Sequence, residues 1–440
     1  MKLAIDQTVL VRALEKGAMA ALSDEAQGDT SSFAPLIQSV KITVGDDFIV
    51  ESGTSLVATK WSMKSEKENG IDVKEGGTIL VPAKLLYDWA SKQTKSKIVL
   101  NLAKLDTPEV IKSSDGDMDY SEDDSLSVKK IGNLKLASRD DSKTGNRWHV
   151  DCYDHSQLKS VDFKQAPDSV ITIPSEQMTK ALKNVAFASQ PKDYQHVLDS
   201  VAIESFGGSV CLAATDAHRC SIYKLDQATD VNKEFFVETT VKDGNMSHGQ
   251  KILIPSSFLK SISKLSEGAD IEVSYDAKKD KVYLKVGKWY VRLTTVGASK
   301  FNGFPTIALL MSKKYEDLAS VPKSTLMNRL VSASLVNDHV VLFNFSQSDK
   351  GDMLVVHAVS ERGYAPNVSN APVEDLKKSL KAVWGVKHIT EVSKVIEDDS
   401  IFFTIPDDMR SVRIVSKADP NLQYYSIAVD NPIYYKLLKD

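Results

Sequence analysis

The sequence predicts an α+β protein of three repeated domains, each holding two units in which a strand leads into an amphipathic helix and then into antiparallel strands. Three observations carry this expectation. A strand-like run that ends in a pair such as Val-Pro or Ile-Pro and continues as an amphipathic helix recurs along the chain. The segments between these helices alternate apolar and polar residues and meet at turns such as "GDD" and "FGGS", as antiparallel strands do. With 440 residues the chain is too long for one ordinary core, and six units shared two to a domain give three domains.

Taken in order, the first unit opens with "LAIDQTVLVRALEKGAMAAL", which lacks the proline. The others start at "TILVPAKLLYDWASKQ" (Pro82), "VITIPSEQMTKALKNVAFAS" (Pro174), "KILIPSSFLKSISKLSEG" (Pro255), "ASVPKSTLMNRLVSASL" (Pro322) and "NAPVEDLKKSLKAVWG" (Pro372). Proline fits the first helical turn, where its missing N–H would have had no partner. Ser175 and Ser256 follow two of these prolines as polar first-turn residues. Strand-like stretches such as "SVKITVGDDFIVES", "SVAIESFGGSVCLAAT" and "SIFFTIPDDMRSVRIVS" fill the intervals. The boundaries expected on this pattern are 1–167, with an acidic insertion at about 113–125, then 168–313 and 314–440.

Composition excludes several classes. Apolar residues make up 42% and charged residues 26%, the balance of an ordinary globular chain. No apolar run approaches the roughly 20 residues that span a bilayer, and the N-terminus reaches Asp6 too soon for a signal peptide, so no membrane partner is expected. Three cysteines, Cys152, Cys211 and Cys220, point to a reducing, cytoplasmic setting. A net charge of −4 means that any nucleic-acid contact has to come from a local basic surface.

The polar faces of the six expected helices supply such a surface. Behind the apolar stripe Met178, Ala181, Leu182 and Val185 stand Lys180 and Lys183; behind Phe258, Leu259, Ile262 and Leu265 stand Lys260 and Lys264. The remaining helices offer Arg12 with Lys16, Lys84 with Lys92, Lys323 with Arg329, and Lys377, Lys378 with Lys381. Cations on a solvated helix face are ordinary, but their repetition on every copy in an acidic protein suggests one basic surface. It suits sequence-independent contact with the phosphates of double-stranded DNA. No helix-turn-helix or zinc-finger pattern for base readout is present.

"ATDAHRCSIYKL" (Ala214–Leu225) packs Asp216, His218, Arg219 and Cys220 into five residues. As a strand it would put Asp216, His218 and Cys220 on one face, so a thiol or hydrolytic enzyme built on them is one reading. "SSDGDMDYSEDDS" (Ser113–Ser125) resembles a calcium loop but has Tyr120 and Leu126 where glycine and glutamate belong, which makes it a solvated acidic loop. In "HVDCYDH", His149 and His155 are too far apart along a strand to share a zinc with Cys152. "GNMSHGQK" (Gly244–Lys251) misses the phosphate-loop lysine, so neither metal nor cofactor is expected.

With the repeat, the motif Ala214–Arg219 and the pair Phe304-Pro305 in this order, the chain resembles the bacterial DNA polymerase III beta subunits, the sliding clamps, and a phage-encoded member fits. The resemblance covers all three domains and is best in the middle one. It implies a fold of three repeated clamp domains, with antiparallel sheets outside and helices inside, closed into a ring as a head-to-tail homodimer. It further implies a processivity factor rather than an enzyme, which encircles duplex DNA and tethers DNA polymerase and other clients. A clamp loader is a further partner, and the location would be the cytoplasm at the nucleoid or replication fork, the host's if phage-encoded. A clamp-like scaffold with non-replicative clients is the alternative.

Clients of this family insert a short peptide, bearing glutamine and aliphatic or aromatic residues, between the second and third domains. The matching positions are Leu198, Thr215, Ala217, His218, Arg219, Cys220, Pro305, Leu310, Ile427 and Val429. His218 and Arg219 would act as rim donors, with Thr215 and Cys220 shaping the pocket. Ala217 stands where the family has glycine, Cys220 where it commonly has leucine, and Ala428-Val429-Asp430 where it has methionine-proline-methionine. The tail "NPIYYKLLKD" runs past the family's usual end, and its Tyr434, Tyr435 and Leu437 would cover the groove. Ring closure would use Trp148 against Leu335 and Val336.

Overall fold

The same strand-to-helix junction occurs six times. The residues preceding the long helices are Asp6, Pro82, Pro174, Pro255, Pro322 and Gly385, all with φ between −64° and −51° and ψ between 116° and 136°. Proline is pre-set for this conformation by its ring, and as the last residue of a strand it ends the ladder and admits the helix. The prolines therefore sit at the cap, one residue before the helical turn expected for them. The helices that follow the six junctions are α1 (Gln7–Gly17), α2 (Ala83–Ser91), α3 (Ser175–Val185), α4 (Ser256–Leu265), α5 (Lys323–Ser334) and α6 (Val386–Val395). In this computed structural model the described residues are 1–28, 34–54, 56–111, 128–140, 143–158, 163, 171–190, 197–206, 209–226, 240–242, 245–247, 251–276, 279–295, 304, 307–347, 351–360, 367–406 and 411–439. The acidic stretch 113–125 and Pro305 lie outside them.

Each helix is followed by three strands joined antiparallel, so the unit is strand, helix, three strands. The chain packs into two compact units: residues Met1–Ser169 with Ala269–Thr295, and residues Val170–Gly268 with Val296–Asp440. In the first, one antiparallel sheet runs from Ile271–Asp276 through Trp289–Thr294 and Val57–Lys64 to Gly77–Pro82, and on through Lys143–Tyr153 and Lys97–Ile111 to Ile71–Glu75. Helix α1 packs close on it: a Cβ on Gly17 would lie 2.4 Å from the Val50 carbonyl oxygen. The Gly17 carbonyl accepts from the Ser52 (2.9 Å) and Thr59 (2.8 Å) hydroxyls, which satisfies one orphan acceptor of the helix end.

In the second unit an eight-stranded sheet runs Lys251–Pro255, Ser200–Phe206, Ser209–Thr215, Arg219–Lys224, Leu422–Ile427, Ser411–Val415, Ser400–Pro406, Tyr315–Pro322. Its central pair is Arg219–Lys224 against Leu422–Ile427, in register from Arg219 opposite Ser426 to Tyr223 opposite Leu422. A second sheet orders Asn367–Pro372, Met353–Ala358, Val340–Ser346, Leu380–Gly385. Phe343, Phe345, Trp384 and Phe403 form an aromatic cluster there with ring centroids 5.0–6.4 Å apart.

The helices associate in consecutive pairs. Gln7 donates to the Ala90 carbonyl (2.9 Å) and Tyr87 to Glu15 (3.1 Å), linking α1 to α2. Ser175 with Ser266 (2.5 Å) and Thr179 with Ser263 (2.8 Å) link α3 to α4, and α5 packs on α6. The expected stripe of α3 is buried as read: Met178, Ala181, Leu182 and Val185.

The sixth helix is a correction. "VEDLKKSL" after Pro372 is not helical: Asn367–Pro372 is a strand, Asp375 has φ +56°, and Leu380–Gly385 is the next strand. Val373, Leu376 and Leu380 are buried at helix-like spacing, but from an extended segment tied to the neighbouring strand through Ser320 and Glu374. The helix is Val386–Val395, and Gly385 supplies the junction that proline supplies elsewhere.

Candidate functional site

The motif Ala214–Arg219 is a tight connection, not a continuous strand. Thr215 ends one strand and Arg219 begins the next. Between them the Asp216 carboxylate accepts from the backbone N–H groups of His218 and Arg219, both at 3.1 Å, which closes an Asx-type turn. Ala217 has φ +75°, the left-handed region, at the position where the resemblance implied glycine. An L-residue there costs roughly 1–2 kcal/mol, so the turn is held by its partners and not by local preference. The Thr215 hydroxyl donates to the Arg219 carbonyl (2.5 Å) and accepts from the Ala217 N–H (3.1 Å), so it braces the turn from within.

This geometry removes the thiol reading. Asp216 and His218 do not share a strand face with Cys220, and Cys220 is buried, with its thiol pushed up to about 12 by burial. A thiol kept protonated at neutral pH is no nucleophile. Cys152 and Cys211 are buried and pushed up to about 12 in the same way. Among the described residues no group of three or more His, Cys, Asp and Glu side chains could hold a metal ion.

Arg219 is the second correction. It was expected as a rim donor, yet it is only 4% exposed. Its Nε donates to Asp216 (2.8 Å), Nη1 to Glu391 of α6, and Nη2 to the Phe187 carbonyl (3.0 Å), while the guanidinium lies 5.7 Å from the Phe187 ring centroid. Burial works against its charge, but Tyr424, Asp216 and Glu391 outweigh it and raise its pKa. The group is a buried tie between the turn and α6. His388, one turn before Glu391 on the same helix, stacks beside His218 with centroids 6.4 Å apart and lies 3.8 Å from Asp216. Its pKa is lowered, chiefly by burial, and its Nδ1 has no hydrogen-bond partner among the described residues. His218 itself stays exposed and available.

The apolar part of the groove forms around Cys220. Cys220 packs in one cluster with Val197, Ala213, Leu253, Phe304, Ile307 and Tyr425, and Leu310, Met311 and Tyr315 close on it. Leu198 follows Val197 and is half-buried. Ile427 is 50% exposed and its N–H donates to the His218 carbonyl (3.0 Å), which puts it beside the turn. Val429 belongs elsewhere: it packs with Leu342, Val383 and Tyr434. So Cys220 and Leu310 pack together, His218 and Ile427 meet at the turn beside them, Thr215 and Arg219 brace that turn, Leu198 is placed only next to Val197 of the cluster, and Val429 faces another cluster. Sequence reasoning missed Glu391, His388, Tyr315 and Met311, which no local motif marks.

The helix cations divide by environment. Lys16 is a correction: it is 6% exposed, with its ammonium 6.0 Å from the Trp289 ring centroid, and so is no phosphate contact. Arg12, Lys84, Lys92, Lys180, Lys183, Lys260 and Lys264 are exposed. Several meet acids: Lys84 and Asp88 (3.4 Å), Lys180 and Asp419 (2.9 Å), Lys183 and Glu397 (3.4 Å). The Asp419 and Tyr223 bonds raise the Lys180 pKa. Lys323 donates to the Ile396 carbonyl (2.6 Å) and Arg329 to that of Asn370 (2.8 Å). Lys377 and Lys378 lie off any helix, and Lys381 sits on a strand and donates to the Leu437 carbonyl (3.1 Å). The exposed cations of the sixth helix are Lys387 and Lys394. Trp148 is half-buried on the strand Lys143–Tyr153, and just past α5 Leu335 is 85% exposed, with Val336 half-buried.

Among the described residues no helix is long and apolar enough to cross a membrane. Residues 172–296 match the family model described as DNA polymerase III beta subunit, central domain. The beta sliding clamp of Synechocystis sp. is 21% identical over 350 residues, covering 79% of this chain and 80% of that relative. Among solved structures, the DNA polymerase III subunit beta of Pseudomonas aeruginosa superposes with TM-score 0.73 at 14% identity, covering 98% of this chain and 100% of that one. The pol III beta of Caulobacter crescentus gives TM-score 0.73 at 13% identity with the same coverage. A sixfold strand–helix–strand unit, a central-domain match that includes the Asx turn, and likeness in fold along the whole chain agree: over residues 172–296 the chain is similar to the central domain of the DNA polymerase III beta subunits, and it has the fold of the beta sliding clamps.

Proposed function

We propose that the chain works as a sliding clamp: two copies close head to tail into a ring around duplex DNA and tether DNA polymerase, with a clamp loader to open the ring. The observation that carries this is the sixfold unit with its helices in three consecutive pairs. It supports a division into three clamp domains, 1–167, 168–313 and 314–440. Six helices per chain, each with an exposed or half-buried cation off its apolar stripe, support a surface that neutralises phosphates without reading bases. The contributors are Arg12, Lys84, Lys92, Lys180, Lys183, Lys260, Lys264, Lys323 and Arg329, with Lys387 and Lys394 on the sixth helix. Lysines already facing Asp88, Glu397 and Asp419 bind phosphate by exchange, which keeps the grip weak and mobile.

The groove around Cys220, Leu310 and Ile427, with His218 at its rim, takes an extended client peptide by its apolar side chains. Leu335 and Val336 meet Trp148 of a second copy, a heterologous contact that closes into a ring. The site of action is the cytoplasm, at the replicating nucleoid.

Loading onto circular versus linear DNA tests the reading. The protein, loaded with its clamp loader, stays on closed circles through a high-salt wash and is lost when the circle is cut once. Equal loss from both forms would show that it grips DNA from one side and encloses nothing.

A further inference from the structure

Beyond the last strand, Leu422–Ile427, the chain folds back on itself. The Asn431 side chain accepts from the Ile433 N–H (3.0 Å) and opens a short turn, Pro432–Tyr434, followed by the short helix Tyr435–Lys439. Tyr434 is fully buried; its hydroxyl donates to the Val340 carbonyl (3.0 Å) and accepts from the Val359 N–H (3.2 Å). Its ring lies with Leu342 and Val383, and Ile433, Leu437 and Leu438 gather around Val340, Val359 and Val429. Lys381 pins the segment through the Leu437 carbonyl. The Ile427 N–H bonds the groove turn at His218, whereas two residues later the Val429 N–H bonds Val383, under the tail.

We propose that residues 431–438 are an in-cis peptide ligand: this aromatic-aliphatic segment fills a pocket of Leu342, Val383 and Val429 and closes that end of the client groove. The inference rests on the groove reading above. A client peptide then either stops at Ile427 or displaces the tail, and the competitor best suited to displace it carries a tyrosine or phenylalanine with a leucine three residues later, as Tyr434 and Leu437 do. Tethering makes the tail a strong competitor, because a short linker holds a local ligand at an effective concentration of about millimolar. Among the described residues its polar attachments to the sheet are the Tyr434 hydroxyl and the Lys381 contact, so it can be released without unfolding the sheet beneath.

The test uses the full chain, Tyr434→Phe and Tyr434→Ala, with two labelled peptides read by fluorescence anisotropy. One peptide carries a glutamine followed by aliphatic and aromatic anchors and extends past the Ile427 position; the other is a synthetic copy of residues 430–440. Loss of the hydroxyl bonds should tighten the first peptide about three- to ten-fold on Tyr434→Phe. The second should bind Tyr434→Ala, whose pocket is vacated, and not the unaltered chain. The same affinity for the first peptide on all three proteins, with circle retention intact, overturns the proposal. If the first peptide binds none of them, the groove reading fails, and the second peptide still decides for or against the tail pocket. Should Tyr434→Ala not fold, Tyr434→Phe alone decides, because it leaves the ring in place.

Discussion

Arg219 carries a full charge into a site that is 4% exposed, which is tolerable because Asp216, Glu391 and the Phe187 carbonyl take up its donors. Stripping a partner from such a group costs about 3–5 kcal/mol, so the tie between the groove turn and α6 is strong. The neighbouring His388 adds a pH dependence. Its folded pKa lies below the ordinary 6.5, chiefly through burial, so below that pH the unfolded chain binds the proton more readily than the folded one. Its contribution to stability is complete above 6.5 and is lost as pH falls from there toward the lowered folded value. Denaturant titrations at about pH 7.5 and about pH 5.5 should show a larger loss for the unaltered chain than for His388→Asn; equal losses would remove His388 from the account. None of this was legible locally. Asp216, His218 and Cys220 read as the constellation of a thiol or hydrolytic enzyme because alternation along a strand is a local rule, whereas the turn at Ala217 and the partner Glu391, 172 residues from Arg219, are tertiary facts.

At the scale of elements, five of the six helices were legible because each combines a turn-entering signal with an apolar stripe of period 3.6. The sixth was misplaced because Pro372 imitates the junction and Leu376, Leu380 and Val383 imitate the stripe, while the true junction uses Gly385. The difference has a measurable consequence for DNA. Each lysine that neutralises a phosphate contributes about 0.9 to the slope of log affinity against log salt. Replacing Lys387 and Lys394 together by glutamine should weaken retention on circles and flatten that slope by up to about two per chain. Lys377→Gln with Lys378→Gln, which act off any helix, should leave the slope unchanged. The reverse ranking would restore the earlier assignment.

For the whole molecule, the exposed ends matter most. Val331 is 58% exposed on the last turn of α5 and Leu335, its C-cap, 85% exposed, a costly arrangement for a monomer unless a partner covers it. Leu335→Asp should convert a dimer into a monomer at micromolar concentration by light scattering, while thermal stability of the monomer changes little because the side chain is already in solvent. A dimer that persists in Leu335→Asp would place ring closure elsewhere. The tail acts at this scale too: it packs over Leu342 and Val383, which would otherwise expose apolar surface.

The sequence by itself determined the repeated α+β unit and the cations on five helices, because periodicity and proline placement are encoded within a few residues of one another. The tertiary structure alone decided that Arg219 is a buried tie, that Lys16 lies against Trp289, that Lys381 holds the tail, and that Val429 sits beneath Tyr434. Those outcomes depend on which distant strand or helix supplies the neighbour, and desolvation by that neighbour sets whether a charge or an apolar side chain meets solvent or is enclosed.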